Sequence, residues 1–171
     1  IVHISSINQL DKWAIDIPDY AIKLAKEFWP GPMTLILKRS EIAKDFITGG
    51  QENVGVRVPS HPVALALLSE FEELGGLGIA APSANRFGAV SPTSSFDVQE
   101  EIGSYLNNTD QILDGGKSLV GIESTIISCL SELLPRYRVF HQVGKGRQEE
   151  IILTAKSLIQ DINLQGHYYV Q

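Results

Sequence analysis

KEFWPGPMTLIL, residues 26–37, passes from a helix into a strand, and that transition sets the fold class. Ahead of it Ala21, Leu24, Ala25 and Phe28 recur at spacings of three and four, one apolar stripe of a helix over residues 18–29. Pro30 and Pro32 lack the N–H donors a helix needs, so the helix stops there. TLILK (34–38) then reads as a strand, aliphatic and bounded by turn formers.

The same alternation continues outward. VGVRV (54–58) is a second strand, and residues 41–47 between the two form a short helix that ends at Gly49-Gly50. Pro62 falls in the first turn of a helix carrying Val63, Leu65, Ala66 and Leu68, where its missing N–H costs nothing, with His61 as an N-cap neighbour. Ile1, Val2 and Ile4 read as strand, as does the run 79–81 before Pro82. After a polar loop over 83–93, Ser94 and Asp97 have the spacing of a capping box, which predicts a helix over about 96–106. QIL (111–113), STIIS (124–128) and RVFHQV (138–143) are further strands, and 149–160 is a closing helix. Interleaved strands and helices predict one α/β domain over residues 1–171 with a mixed sheet.

Length and composition agree. The 171 residues carry 14 Lys+Arg against 20 Asp+Glu, a formal charge of −6, and 43% are hydrophobic. A chain of this size buries about 70% of its unfolded surface, enough for a core without disulfide or metal staples. Glycine and proline are near average usage, which excludes collagen-like and disordered readings. A single cysteine, Cys129, makes no internal disulfide and no thiolate metal site, and with no apolar run near the ~18 residues of a membrane span the expected location is cytoplasmic. The first residue is Ile1 inside a strand pattern, so residues ahead of it are expected. Net acidity argues against general binding to phosphate backbones.

Three familiar patterns fail on context. Gly116-Lys117-Ser118 ends like a P-loop, but Gln111 stands where that pattern needs its first glycine. Gly76, Gly78 and Ala81 match a loose dinucleotide fingerprint that follows an acidic helix end rather than a strand. His3, His61, His141 and His167 show no metal-ligand spacing.

Four segments remain. In KEFWPGPMTLIL, Pro-Gly-Pro makes a rigid entry into a strand, which by itself is only a well-made turn with core aromatics. In VGVRVPSHP, Arg57 is a cation inside an aliphatic strand and must be paired or face a cavity; a salt bridge and a carboxylate or phosphate clamp both meet that need. APSANRFGAVSPTS places small hydroxyls and an amide between a strand and a helix start, either a phosphate cradle or a cap with turns. DGGKSLVGIESTIIS leads through a glycine-rich turn to hydroxyls at a strand end.

In this order the four segments resemble the YrdC-like family of threonylcarbamoyl-AMP synthases over about residues 1–128. The resemblance implies a twisted open α/β sheet flanked by helices, around a positively lined cavity. It implies conversion of L-threonine, bicarbonate and ATP, with Mg²⁺, to threonylcarbamoyl-AMP and pyrophosphate, the product passing to proteins that modify tRNA. By position, His3, Arg57, Ala81 and Ser124 match the threonine side, with Arg57 clamping the carboxylate. Thr34, Asn53, Ser83, Asn85, Ser91 and Arg138 match the nucleotide side, Ser83 and Ser91 near phosphates and Asn85 holding the loop.

Two departures stand out. The family's P-T-D-T and K-x-R segments should precede Ile1 and are not among these residues, while Lys145-Gly146-Arg147 has the form in the wrong order; the 171 residues alone are therefore expected to be poorly active. Where the family has R-x-G near the adenosine, Arg138 is followed by Phe140, and Gln142-Val143-Gly144 keeps only the glycine. Two alternatives stay open: a carbamoyl-adenylate-forming relative, and a double-stranded-RNA-binding module, which the net charge disfavours.

Overall fold

A computed structural model of the chain describes residues 1–118, 125–129, 139–141 and 168–170. Strand β1 (Val2–His3) leads through a 3₁₀ turn into the short helix α1 (Leu10–Trp13), and α2 (Asp19–Phe28) carries the stripe expected of it, burying Ala21, Leu24 and Ala25. The Pro-Gly-Pro turn then delivers the chain into β2 (Met33–Lys38). Short α3 (Asp45–Thr48), β3 (Asn53–Arg57), α4 (Pro62–Glu73), β4 (Ile79–Ala80), α5 (Ser95–Ile102), β5 (Thr125–Ser128), β6 (Val139–His141) and β7 (Tyr168–Val170) complete the described elements. Pro62 occupies the first turn of α4 with His61 at the N-cap, as its missing donor allows.

Five strands form a mixed sheet in the order β4-β1-β3-β2-β5. β1 runs parallel to β3 and β2 parallel to β5, while β1–β4 and β2–β3 are antiparallel. A parallel pair, β6 and β7, sets Val139 beside Tyr168 and His141 beside Val170. The α/β class and the mixed sheet expected from the sequence are therefore what forms.

Register explains the core. Val2 pairs with Val56, Val56 with Leu35 and Leu35 with Ile127, so one row crosses four strands, and each of these side chains is buried. Successive side chains alternate between faces. Met33, Leu37, Val54 and Val58 therefore join that row, and α1 and α2 cover it through Leu10, Trp13, Leu24 and Ala25. Trp29 anchors the end of α2, its indole Nε1–H donating to Met33 O at 2.7 Å.

The contacts divide the chain into two units, residues 1–80 with 123–171, and residues 81–122. In the second, α5 is capped as its sequence predicts: the Ser94 hydroxyl accepts from Asp97 N at 3.1 Å, and the Asp97 carboxylate accepts from Thr93 N and Thr93 Oγ1. Two expectations are corrected. Residues 111–113 form no strand: only Ile112 is half-buried, Gln111 and Leu113 lie exposed, and so short a run has no apolar face to set against a ladder. The helix expected over 41–47 starts only at Asp45, because the Ser40 hydroxyl accepts from Ile42 N and holds the chain in a turn. The closing helix over 149–160 lies outside the described residues.

Candidate functional site

The face of the sheet opposite the core row carries a different set of residues. His3 pairs with Arg57 across β1 and β3, and Thr34 of β2 lies on the same face, its methyl 3.3 Å from where a β-carbon on Gly55 would sit. Thr34 in turn pairs with Ile126. His3, Arg57, Thr34 and Ile126 thus share one face of four neighbouring strands, and three of them are residues singled out from sequence. Gly55 and Asn53 continue this face along β3, with Asn53 four residues from Arg57, roughly 13 Å down the strand.

Arg57 is half-buried, and burial lowers its pKa from the ordinary arginine value. Its Nε–H donates to Gly31 O at 2.9 Å. Among the described residues no carboxylate lies within ion-pair distance of it. The salt-bridge reading of this strand cation is therefore unsupported by any described partner, and the terminal N–H donors of the guanidinium are left to face something else. The opposite extreme is Arg39, which is tied to Asp45, Glu52 and the Ala43 carbonyl and serves as a staple.

The His3 imidazole is half-buried, and its pKa is pushed down to about 4. Burial is the largest cause and the adjacent Arg57 charge the next, with a hydrogen bond to the Ile79 backbone opposing them. It is neutral at physiological pH. The Thr34 hydroxyl is fully buried and has no hydrogen-bond partner among the described residues, a state that costs about 1–3 kcal/mol unless a bound group satisfies it.

The sequence did not reveal how the Pro-Gly-Pro turn takes part. Gly31 N donates to Val58 O at 2.9 Å while Gly31 O accepts from Arg57 Nε–H, so both backbone groups of Gly31 are tied to the end of β3 and the residue after it. A β-carbon on Gly31 would collide with the Phe28 carbonyl. The signal was legible in principle, since between two prolines Gly31 holds the turn's only backbone donor.

Residues 83–94 of the second unit form a loop held by its own polar groups. Asn85 Nδ2 donates to Arg86 O at 3.0 Å and Ala89 O at 2.9 Å. Arg86 N and Nε both donate to Glu101 Oε1 of α5, at 3.1 and 3.0 Å. Ser118 N closes onto Thr93 O at 2.7 Å. Ser83 is exposed and Ser91 half-buried, and Ala81 lies half-buried just past β4. Ser124 and Arg138 fall outside the described residues.

Among the described residues no group of three or more His, Cys, Asp or Glu side chains comes together as a cation cage. No helix among them is long and apolar enough to cross a membrane.

Comparison with known proteins adds a second line. A threonylcarbamoyl-AMP synthase of Pyrococcus abyssi is 47% identical over 127 residues, 74% of this chain and 35% of that protein. The synthase of Bacillus subtilis is 42% identical over 134 residues, 78% of this chain and 37% of that protein. The chain thus spans little more than a third of the length of these curated relatives. The crystal structure of P. abyssi Sua5 complexed with L-threonine is similar at a TM-score of 0.75 and 37% identity, covering 98% of this chain and 44% of that one. E. coli YciO, at 22% identity and a TM-score of 0.60, covering 77% of this chain and 60% of its own, shares the fold. Residues 1–138 match the family model Sua5/YciO/YrdC, whose description is telomere recombination. With four-fifths of its length matched, the chain belongs to the Sua5/YciO/YrdC family.

Proposed function

We propose that residues 1–171 act as one YrdC-like catalytic domain of a cytoplasmic L-threonylcarbamoyladenylate synthase, a nucleotidyltransferase. It forms threonylcarbamoyl-AMP and pyrophosphate from L-threonine, bicarbonate and ATP, and the product passes to proteins that modify tRNA. The observation that carries this reading is Arg57, half-buried, paired with His3 across the sheet and with no described carboxylate within ion-pair distance. The threonine-bound state of the P. abyssi relative supports it.

In this reading Arg57 takes the threonine carboxylate through charge-assisted hydrogen bonds. Neutral His3 borders the amino acid without adding a second positive charge, and Ala81 and Ser124 line it. On the nucleotide side Ser83 and Ser91 serve the phosphates, Asn85 keeps their loop in shape, and Thr34, Asn53 and Arg138 complete the site. The chemistry is nucleophilic displacement. An oxygen of N-carboxylated threonine attacks the α-phosphorus of ATP, a P–O bond forms, and the bond to pyrophosphate breaks. No covalent enzyme intermediate is needed, so catalysis is chiefly positioning.

The test is pyrophosphate release from ATP, expected only when L-threonine and bicarbonate are both supplied. Equal release driven by carbamoyl phosphate without threonine would move the assignment to a carbamoyl-adenylate enzyme. The 171 residues alone are expected to turn over slowly, since a K-x-R ahead of the His3 strand is not among them, and losing a donor of that kind costs on the order of 10²–10³ in rate. Equal rates for this chain and for one extended by such a segment would instead point to Lys145 and Arg147.

A further inference from the structure

We infer that the Pro30-Gly31-Pro32 turn is a positioning device for Arg57: the Gly31 carbonyl takes the Nε–H, so a carboxylate is received end-on, by the two terminal amino groups alone. The inference rests on reading Arg57 as the carboxylate clamp, and it adds which edge of the guanidinium the substrate meets.

An arginine can present two forks to a carboxylate. One uses Nε with one Nη, the other uses both Nη groups. Here the first fork is already occupied, because Arg57 Nε–H donates to Gly31 O at 2.9 Å. The acceptor is itself fixed. Gly31 N donates to Val58 O at 2.9 Å, one residue past Arg57, so the turn holds both the side chain and the adjoining backbone. The base of the turn is closed by the buried bond from Trp29 Nε1 to Met33 O. Gly31 is buried, and a β-carbon there would collide with the Phe28 carbonyl, so a larger residue forces either the end of α2 or the turn that carries the Gly31 carbonyl to shift. Rotation about the Cδ–Nε bond is thereby restricted before substrate arrives, which lowers the ordering cost of binding.

The experiment is a double-mutant cycle on the whole chain, titrated calorimetrically with L-threonine and separately with ATP. Gly31→Ala is expected to weaken L-threonine about 10-fold, while ATP affinity changes less than about twofold. In an Arg57→Lys background Gly31→Ala is expected to add less than about twofold, because lysine has no Nε–H to be held. Full multiplication of the two effects, or no loss with Gly31→Ala, would overturn the inference.

Should Gly31→Ala fail to fold, the wild-type chain answers by arginine side-chain proton exchange. The Arg57 Nε–H is expected to exchange at least about 10-fold more slowly than in free arginine without any ligand, and the Nη protons to gain protection only when L-threonine is added. An Nε–H that becomes protected only with L-threonine would place it on the carboxylate and overturn the inference. A protected Nε–H in a chain that binds no L-threonine would sink the clamp reading and leave the positioning role standing.

Discussion

His3 and Cys129 show how burial can dominate the chemistry of a side chain. His3 titrates near 4 in the folded chain, mainly through burial and then through Arg57, against 6.5 ordinarily. The folded state therefore binds this proton less readily than the unfolded one, so His3 costs no stability above pH 6.5 and an increasing amount as pH falls from 6.5 to 4, where the loss levels off. Urea unfolding of wild type and His3→Gln at pH 7, 5 and 4 is expected to show wild type losing ground to the variant across that window. A gap independent of pH would contradict the assignment. Cys129 is 2% exposed, and burial pushes its thiol up to about 12. It is expected to react with an aromatic disulfide at pH 8 only when the chain is unfolded. Prompt stoichiometric labelling of the native chain would show the thiol to be accessible. Arg57 was legible as an anomaly, a cation among valines. What answers it was not, because Gly31 lies 26 positions away in sequence and only the fold brings its carbonyl to Nε.

Elements were read best where a local rule forces the outcome. α5 is capped within five residues, the Ser94 hydroxyl accepting from Asp97 N and the Asp97 carboxylate accepting from Thr93, and Pro62 opens α4, both without help from the rest of the fold. Ser94→Ala is expected to cost about 1 kcal/mol, seen as a lower unfolding midpoint in denaturant with unchanged slope. A change within error would mean that the Asp97 bonds to Thr93 alone hold the helix start. Residues 111–113 failed because burial in a sheet is a tertiary property, and no neighbour arrives to cover Leu113. The short α3 failed because the Ser40 hydroxyl competes for the backbone, an effect that periodicity does not register.

For the molecule as a whole, the class of the fold was legible from alternating helix and strand patterns, but the strand order was not. β1 lies between β3 and β4, and β2 between β3 and β5, pairings set by sequence separations of tens of residues. The same order creates the candidate site, since it is the neighbouring of β1, β3 and β2 that puts His3, Arg57 and Thr34 on one face. A net charge of −6 gave no hint of that face, because one half-buried cation in the right row matters more to a small anion than the sum over the surface.

The most direct measurement compares L-threonine with L-threoninamide, which lacks the carboxylate, by calorimetric titration of the wild-type chain and of Arg57→Ala. Wild type is expected to prefer the acid by at least about 10-fold, as one charge-assisted hydrogen-bond pair is worth roughly 1.5–3 kcal/mol. In Arg57→Ala that preference is expected to vanish while the melting temperature stays within a few degrees, since no described carboxylate loses a partner. Equal wild-type affinities for acid and amide, or an undiminished preference for the acid in a folded Arg57→Ala chain, would contradict the assignment of this sheet face to the substrate carboxylate.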